Sequence, residues 1–521
     1  MKIERTKNAA RNIMFGIVLK VFHIFIPFLM RTAIIHFLGA QYLGLNGLFS
    51  SILQVLNLAE LGVGNAMVYS MYKPIAEDDR NTICALMGLY RKYYRIIGGL
   101  ILCMGLMLIP ILPKLIKMDT VPDGVSIYIL YLLNLSATVF TYWLFAYRNC
   151  LLIAFQRVDV NSKVALFISS ITYIAQFLIL FYLHDFYLYT VTAVVSGIFS
   201  NILTAYIVTK LFPGYHPKGY LPRSEINKVN SRVKDLFTSK IGSVIYDSVD
   251  TIVISAFLGM TVLAIYQNYF FIVTAIAGFI TVIFTSCTAG IGNSLIVESK
   301  EKNFIDLKKF SFLICWISGF CASCMLCLYQ PFMELWAGTE LMLDFKAVVC
   351  FVVYFYIRQL NSLLNLYKDA SGIWHDDRFR PLCAAMTNLI LNLTFVNFWG
   401  IYGILLSTVI AILFVGIPWL LHNIFSLIFD YNQLKPYLKL LLKCVSGSFV
   451  ICMITCYLCS FIQSSLIVTI FFRLIICCCF TNLLFYFVFR KDAEFIQSIE
   501  LINAMTKGKL GFITYQIIGK S

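Results

Sequence analysis

The sequence predicts an all-α polytopic membrane protein with about 14 transmembrane helices, and three observations carry that prediction. Of 521 residues, 60% are hydrophobic and only 13% are charged, whereas soluble domains hold about 45–50% apolar and about 25% charged residues. Apolar runs near the length of about 20 residues needed to cross a bilayer follow one another along almost the whole chain. The charges fall in the short gaps between these runs, and the mean hydropathy is +0.83.

The segments expected to span lie at about 12–37, 45–71, 93–113, 124–150, 162–183, 186–210, 234–258, 264–290, 309–330, 345–367, 382–398, 402–426, 439–461 and 466–489. Turn and charge signals separate them: Tyr72-Lys73-Pro74, Pro113-Lys114, Phe212-Pro213-Gly214, Arg380-Pro381 and Lys435-Pro436. The first segment follows Lys2, Arg5, Lys7 and Arg11 and briefly resembles a signal peptide. It runs past the about 7–15 residues of a signal core, carries Lys20 and Arg31, and lacks a small-residue cleavage site, so a retained first helix is expected.

Charge gives the orientation. With the N-terminus in the cytoplasm, 34 of the 41 Lys and Arg residues fall at the termini or in alternate loops on that side. Only Lys114, Lys117 and Lys346 fall on the other side, and Lys20, Arg31, Arg358 and Arg473 lie inside spans. Both termini are therefore expected in the cytoplasm. The net charge of +15 reads as this loop bias and not as a nucleic-acid surface, because no polar face gathers it. Of the 17 cysteines most lie within apolar runs, Cys477-Cys478-Cys479 among them, and no CxxC pair stands at the His spacing of a zinc site. They read as small buried hydrophobes, with no metal or cofactor expected.

A short repeat organises the spans. Phe37-Leu38-Gly39 precedes Leu43-Gly44-Leu45, and 220 residues on Phe257-Leu258-Gly259 precedes Leu263-Ala264-Ile265. Six helices separate the copies, and an even number keeps both halves in one orientation, as in transporters built from parallel repeats with the site between halves. The expected domains are a six-helix lobe over 1–212, a basic linker over 213–233, a second six-helix lobe over 234–428, two further helices over 429–490 and a tail over 491–521.

Ionisable residues inside spans cost about 2.5–3.5 kcal/mol on insertion scales, so each is a functional candidate. Lys20 lies about 8 residues into the first segment, about 12 Å along the axis, and either snorkels or faces the interior. Arg31 stands nearer the outer end and has the same two readings. Glu60 follows Asn57 by three residues, on one face, and Gly62 and Gly64 beside it permit close helix approach. Asp247 and Asp250, again three apart, suit either a cation or proton site or a solvated entrance. Arg358 lies mid-span, and its forked donors suit phosphate oxygens. Arg473 either lines the same interior or pairs with a neighbouring helix. Arg31, Arg358, Lys20 and Arg473 are thus the candidate cations for an anionic substrate; Glu60, Asp247 and Asp250 are candidates for coupling or gating. No phosphate-binding loop, GxSxG or HExxH motif occurs, and the outer loops reach only about 15 residues, too short for a catalytic domain. The chain is not expected to be an enzyme.

Several stretches resemble one family. They are Phe37-Leu-Gly-Ala-Gln-Tyr-Leu-Gly-Leu-Asn-Gly-Leu-Phe-Ser, Ala59-Glu-Leu-Gly-Val-Gly-Asn-Ala-Met-Val-Tyr-Ser, Tyr90-Arg-Lys-Tyr-Tyr-Arg, Asp250-Thr-Ile-Val-Ile-Ser-Ala-Phe-Leu-Gly and Tyr367-Lys-Asp-Ala-Ser-Gly-Ile-Trp-His-Asp-Asp-Arg-Phe-Arg-Pro. The pattern resembles the Wzx-type polysaccharide flippases of the multidrug/oligosaccharidyl-lipid/polysaccharide exporter superfamily. The resemblance implies two six-helix lobes around a central cavity, two extra C-terminal helices and alternating access. It implies an undecaprenyl-diphosphate-linked oligosaccharide as substrate, flipped across a bacterial plasma membrane for capsule, exopolysaccharide or O-antigen assembly. A polysaccharide polymerase and glycosyltransferases of the same pathway would be its partners besides membrane lipid. A drug or other lipid-precursor exporter of the superfamily is the alternative, and a membrane-embedded polymerase or glycosyltransferase a weaker one.

Overall fold

The computed structural model describes residues 5–60, 63–117, 121–122, 124–285, 288–373 and 375–505. Among the described residues every regular element is a helix and no strand occurs. A lipid surround demands this, because hydrocarbon offers no partner to a backbone N–H or C=O and a helix satisfies both within itself. Side chains capable of accepting hydrogen bonds close several exposed N-termini: Asp79, Asp185, Ser299 and Asp344 each accept from an N–H of the first turn.

Ten helices among the described residues are long and apolar enough to cross a membrane, and eleven if the bent pair Ile127–Trp143 and Ala146–Ala154 is one span. The chain is a multi-pass membrane protein. Three local features separate this count from the expected fourteen. The stretch around 45–71 is broken into Ala40–Leu56, a tight 3-10 turn Asn57–Glu60 and Val63–Ala76. The helix Arg223–Phe257 carries Lys240, Asp247 and Asp250 in its apolar half. The segments at about 382–398 and 402–426 run on as one stretch, Arg380–Leu427, of 48 residues. Gly400 interrupts it at φ 54° and ψ −128°, a conformation that side-chain-bearing residues avoid.

The chain divides into two compact units, residues 1–267 and 268–521. In the first, Arg5–Phe37 packs along Val158–Tyr182, which packs on Phe186–Leu211, and Arg80–Leu108 packs on Ile127–Trp143. Arg223–Phe257 and the start of Met260–Thr285 belong to this unit because they lie against Ala40–Leu56. In the second unit Lys300–Ala337 is the central helix, with Phe345–Ser371, Leu434–Ser460, Leu466–Ile476 and Ala493–Met505 packed around it.

The sequence repeat has a structural counterpart. After Phe37 the N–H groups of Leu38 and Gly39 both donate to Ile34 O, at 2.9 and 3.0 Å, and after Phe257 those of Leu258 and Gly259 both donate to Ile254 O, at 2.8 and 3.0 Å. Gly39 and Gly259 then turn the chain at φ 108° and 91°. Each copy thus ends one helix and starts the next by the same device, which only glycine adopts without strain.

Gly44, in the first copy, meets the second copy directly. A Cβ at Gly44 would overlap the carbonyl oxygen of Met260, and one at Gly47 would overlap the side chain of Gln267. Backbone cannot yield as a flexible side chain does, so Gly44→Leu is expected to destabilise the folded protein by about 1–3 kcal/mol. Thermal unfolding in detergent checks this, with Gly99→Ala as the silent control because nothing lies within 4 Å of a Cβ there.

Candidate functional site

In the first unit the polar centre is built around Glu60, at the end of the 3-10 turn that breaks its span. Tyr94 Oη donates to Glu60 Oε1 at 2.7 Å, and Tyr142 Oη lies 3.2 Å from Oε2. Tyr142 Oη also lies 3.3 Å from Asn57 Oδ1, and Tyr90 Oη donates to Tyr94 Oη at 2.5 Å. The rings pack as well: Tyr94 meets Tyr142 edge-on at 5.3 Å between centroids. Gly64 makes room for this chain, since a Cβ there would stand 3.0 Å from Tyr90 Oη and 3.6 Å from Glu60 Oε1. The result is a carboxylate held by two hydroxyls, one of them backed by a third, on a broken helix. Such a carboxylate can accept further hydrogen bonds or meet a cation with small side-chain movements.

Arg31 and Lys20 share the helix Arg5–Phe37, but their settings differ. Arg31 is partly buried and within electrostatic reach of Tyr189, whose ring stacks on Phe186 at 5.6 Å. Lys20 is exposed. Asp250 is buried in Arg223–Phe257, and the side chain of Asp247 lies outside the described residues, as does Gly62.

In the second unit Arg358 donates from Nη1 to Tyr354 Oη at 2.6 Å, one helical turn away. Tyr354 itself is buried and packs on Phe270. On the same helix Gln359 Oε1 and Asn361 Oδ1 are buried without a hydrogen-bond partner. The π-helical turn Ile412–Gly416 approaches here, and a Cβ at Gly416 would stand 3.4 Å from Asn361 Oδ1. A guanidinium can bind a phosphate and an amide oxygen can accept from a sugar hydroxyl, although Gln359 and Asn361, two residues apart, lie on different faces of this helix. Arg473 has a different setting: its Nη1 and Nη2 donate to the backbone carbonyls of Cys327 and Ile462, at 3.1 and 3.2 Å.

Sequence reasoning passes over two buried carboxylates, Asp159 and Asp377, which stand 218 residues apart near helix starts. Asp159 pairs with Arg157 at 2.9 Å and Lys163 at 3.2 Å. Asp377 receives Arg380 through Nε at 2.6 Å and Nη2 at 2.8 Å, while Arg380 Nη2 also donates to Asn365 Oδ1 at 2.8 Å. The spacing nearly repeats that of the two Phe-Leu-Gly turns, and Asp-x-x-Arg at 377–380 was the available signal. These pairs fix loops and do not offer free charge to a ligand.

The sequence profile described as "Polysaccharide biosynthesis protein" matches residues 9–289, more than half of the chain. The chain belongs to that family. Among curated proteins no sequence relative is found. The fold of this polysaccharide biosynthesis protein is similar to that of a solved lipid II flippase, MurJ, in an inward closed conformation. The TM-score is 0.69 at 15% identity, over 91% of this chain and 99% of that one. An inward-facing multidrug resistance MATE family transporter of the MOP superfamily matches with TM-score 0.55 at 15% identity, over 79% and 95%. A MOP superfamily transporter from Pyrococcus furiosus matches with TM-score 0.51 at 14% identity, over 82% and 96%. At these identities the likeness is one of fold alone.

Two substitutions test the polar centres as structure. Glu60→Ala leaves the Tyr94 hydroxyl without this acceptor and Tyr142 with Asn57 instead, and is expected to cost about 1–3 kcal/mol, while Glu60→Gln keeps an acceptor and costs less. Asp377→Ala leaves Arg380 buried and unpaired, for about 3–5 kcal/mol. Thermal unfolding of the purified protein reads both.

Proposed function

We propose that this protein flips an undecaprenyl-diphosphate-linked oligosaccharide repeat unit from the inner to the outer leaflet of a bacterial plasma membrane, by alternating access, for surface polysaccharide assembly. The observation that carries this reading is the joining of two findings. The sequence belongs to a polysaccharide biosynthesis family, and the fold matches a lipid II flippase over 91% of the chain. The alternative, export of a drug or another lipid-linked precursor, is supported by the fold alone. Both termini in the cytoplasm, two six-helix lobes, and two further helices over 429–490 complete the proposal, supported by the partition of Lys and Arg among the loops.

The substrate is a polar, doubly charged head on a lipid, so its receptor needs cations for the diphosphate and hydrogen-bonding groups for the sugars. Arg31 and Arg358 are each proposed as a cation for the diphosphate, with Lys20 as a more exposed candidate and Arg473, two of whose donors hold backbone carbonyls, as a lesser one. The spare oxygens of Gln359 and Asn361 suit sugar hydroxyls. Glu60 is proposed as the coupling group, its protonation or ion occupancy changing what Tyr94 and Tyr142 donate to; Asp250 and Asp247 are further acids for the same role. A polysaccharide polymerase and glycosyltransferases of the pathway are the proposed functional partners. The driving force would come from an ion gradient or from consumption of the product on the far side.

Arg358→Ala is expected to reduce surface polysaccharide at least about tenfold with the protein's membrane level unchanged, and Arg358→Lys to retain part of the output. Immunoblotting of membranes beside quantified polymer reads this; wild-type output from Arg358→Ala removes that residue from the site. Glu60→Gln is expected to lower output while thermal stability falls little. Normal export by that variant makes Glu60 a packing residue.

A further inference from the structure

We propose that Cys327, Cys459 and Cys477 form a buried thiolate site for one soft metal ion, Cu(I) or Zn(II), that ties the last two long helices to Lys300–Ala337. The three come from three different helical segments, and their sulfurs all lie within 4.8 Å of one another. All three are at most 2% exposed, and Cys324, Leu328, Cys456 and Ile476 pack around them. Three thiolates at about 2.3 Å from one ion stand about 4.0 Å apart, so small side-chain rotations close the site. Cys456, one helical step before Cys459, packs against the three but is not among the mutually close sulfurs, so its thiol would have to turn inward to complete a tetrahedral set for Zn(II). With three sulfurs alone the set suits Cu(I), since soft thiolates favour both ions.

Two further features mark the cluster as more than packed thiols. The helix Leu466–Ile476 passes into a π-helical turn that begins at Cys477, and such turns re-aim side chains and are frequent at functional positions. Beside it stands Arg473, whose Nη1 donates to the carbonyl of Cys327 and whose Nε is buried without a partner. A guanidinium at this place offsets the negative charge of a metal–thiolate centre. On binding, each ligating S–H loses its proton to solvent as the S–metal bond forms, three protons for a three-thiolate site and four when Cys456 joins, and no electron is transferred. Cysteines at 321, 324 and 327, and at 456 and 459, recur every third residue, which on a helix places sulfurs on one side. This spacing lacks the histidines of a zinc finger, so it carries no weight until the helices are brought together.

Full-length protein, purified in reductant and stripped with chelator, is offered Zn(II) or Cu(I) separately, desalted, and assayed for metal by mass spectrometry. The expected result is retention of about one equivalent of one of the two ions, with a rise in thermal unfolding temperature. Cys477→Ser is expected to weaken retention at least about tenfold, with Cys103→Ser, an exposed cysteine elsewhere, unaffected. Cys477→Ala serves as a second variant, and size-exclusion behaviour shows that each remains folded. Retention by neither ion in the wild type, or equal retention by Cys477→Ser, overturns the proposal. A disulfide among the three in acid-quenched cells overturns it in favour of a redox pair.

Discussion

Hydrocarbon offers no hydrogen-bond partner, and that one constraint accounts for most of this structure. It turns all described backbone of regular structure into helix, and it obliges every polar side chain at depth to find a partner within the protein or to wait for a ligand. Glu60 shows the first outcome. Breaking a helix in lipid is costly, yet the span breaks at Asn57–Glu60, and the carboxylate there is met by Tyr94 and Tyr142. Gln359 and Asn361 show the second, with oxygens left open on the helix that carries Arg358.

The same constraint sorts the charges by task. Asp159 and Asp377 are closed by their own arginines and lysines, so they hold turns together and cannot also hold a substrate. Arg473 is engaged with two carbonyls and joins helix to helix. Arg358 donates to the hydroxyl of Tyr354 one turn away, and Arg31 lies within electrostatic reach of Tyr189.

Much of this is legible in the sequence because it depends on local composition. The long apolar runs and the Lys and Arg between them predict the helices, and the glycine of Phe-Leu-Gly predicts a turn that recurs 220 residues later with the same hydrogen bonds. The rule that buried ionisable groups are expensive singles out Glu60 and Arg358. It does not supply Tyr94 and Tyr142, which lie 34 and 82 residues away and reach Glu60 only after helices pack. Hydropathy likewise cannot show that Gly400 bends a 48-residue stretch, or that Cys327, Cys459 and Cys477 converge from three segments, because neither follows from average composition.

The central claim is the movement of a lipid-linked oligosaccharide, and reconstitution tests it most directly. Purified protein is placed in liposomes that carry undecaprenyl-diphosphate-linked repeat units, with proton and sodium gradients applied in turn. A membrane-impermeant sugar-modifying reagent then follows units crossing between leaflets. Transfer faster than in protein-free vesicles, and lost when the protein is heat-denatured, is the predicted result. Transfer no faster than in protein-free vesicles under either gradient, from protein shown to be folded, would contradict the account.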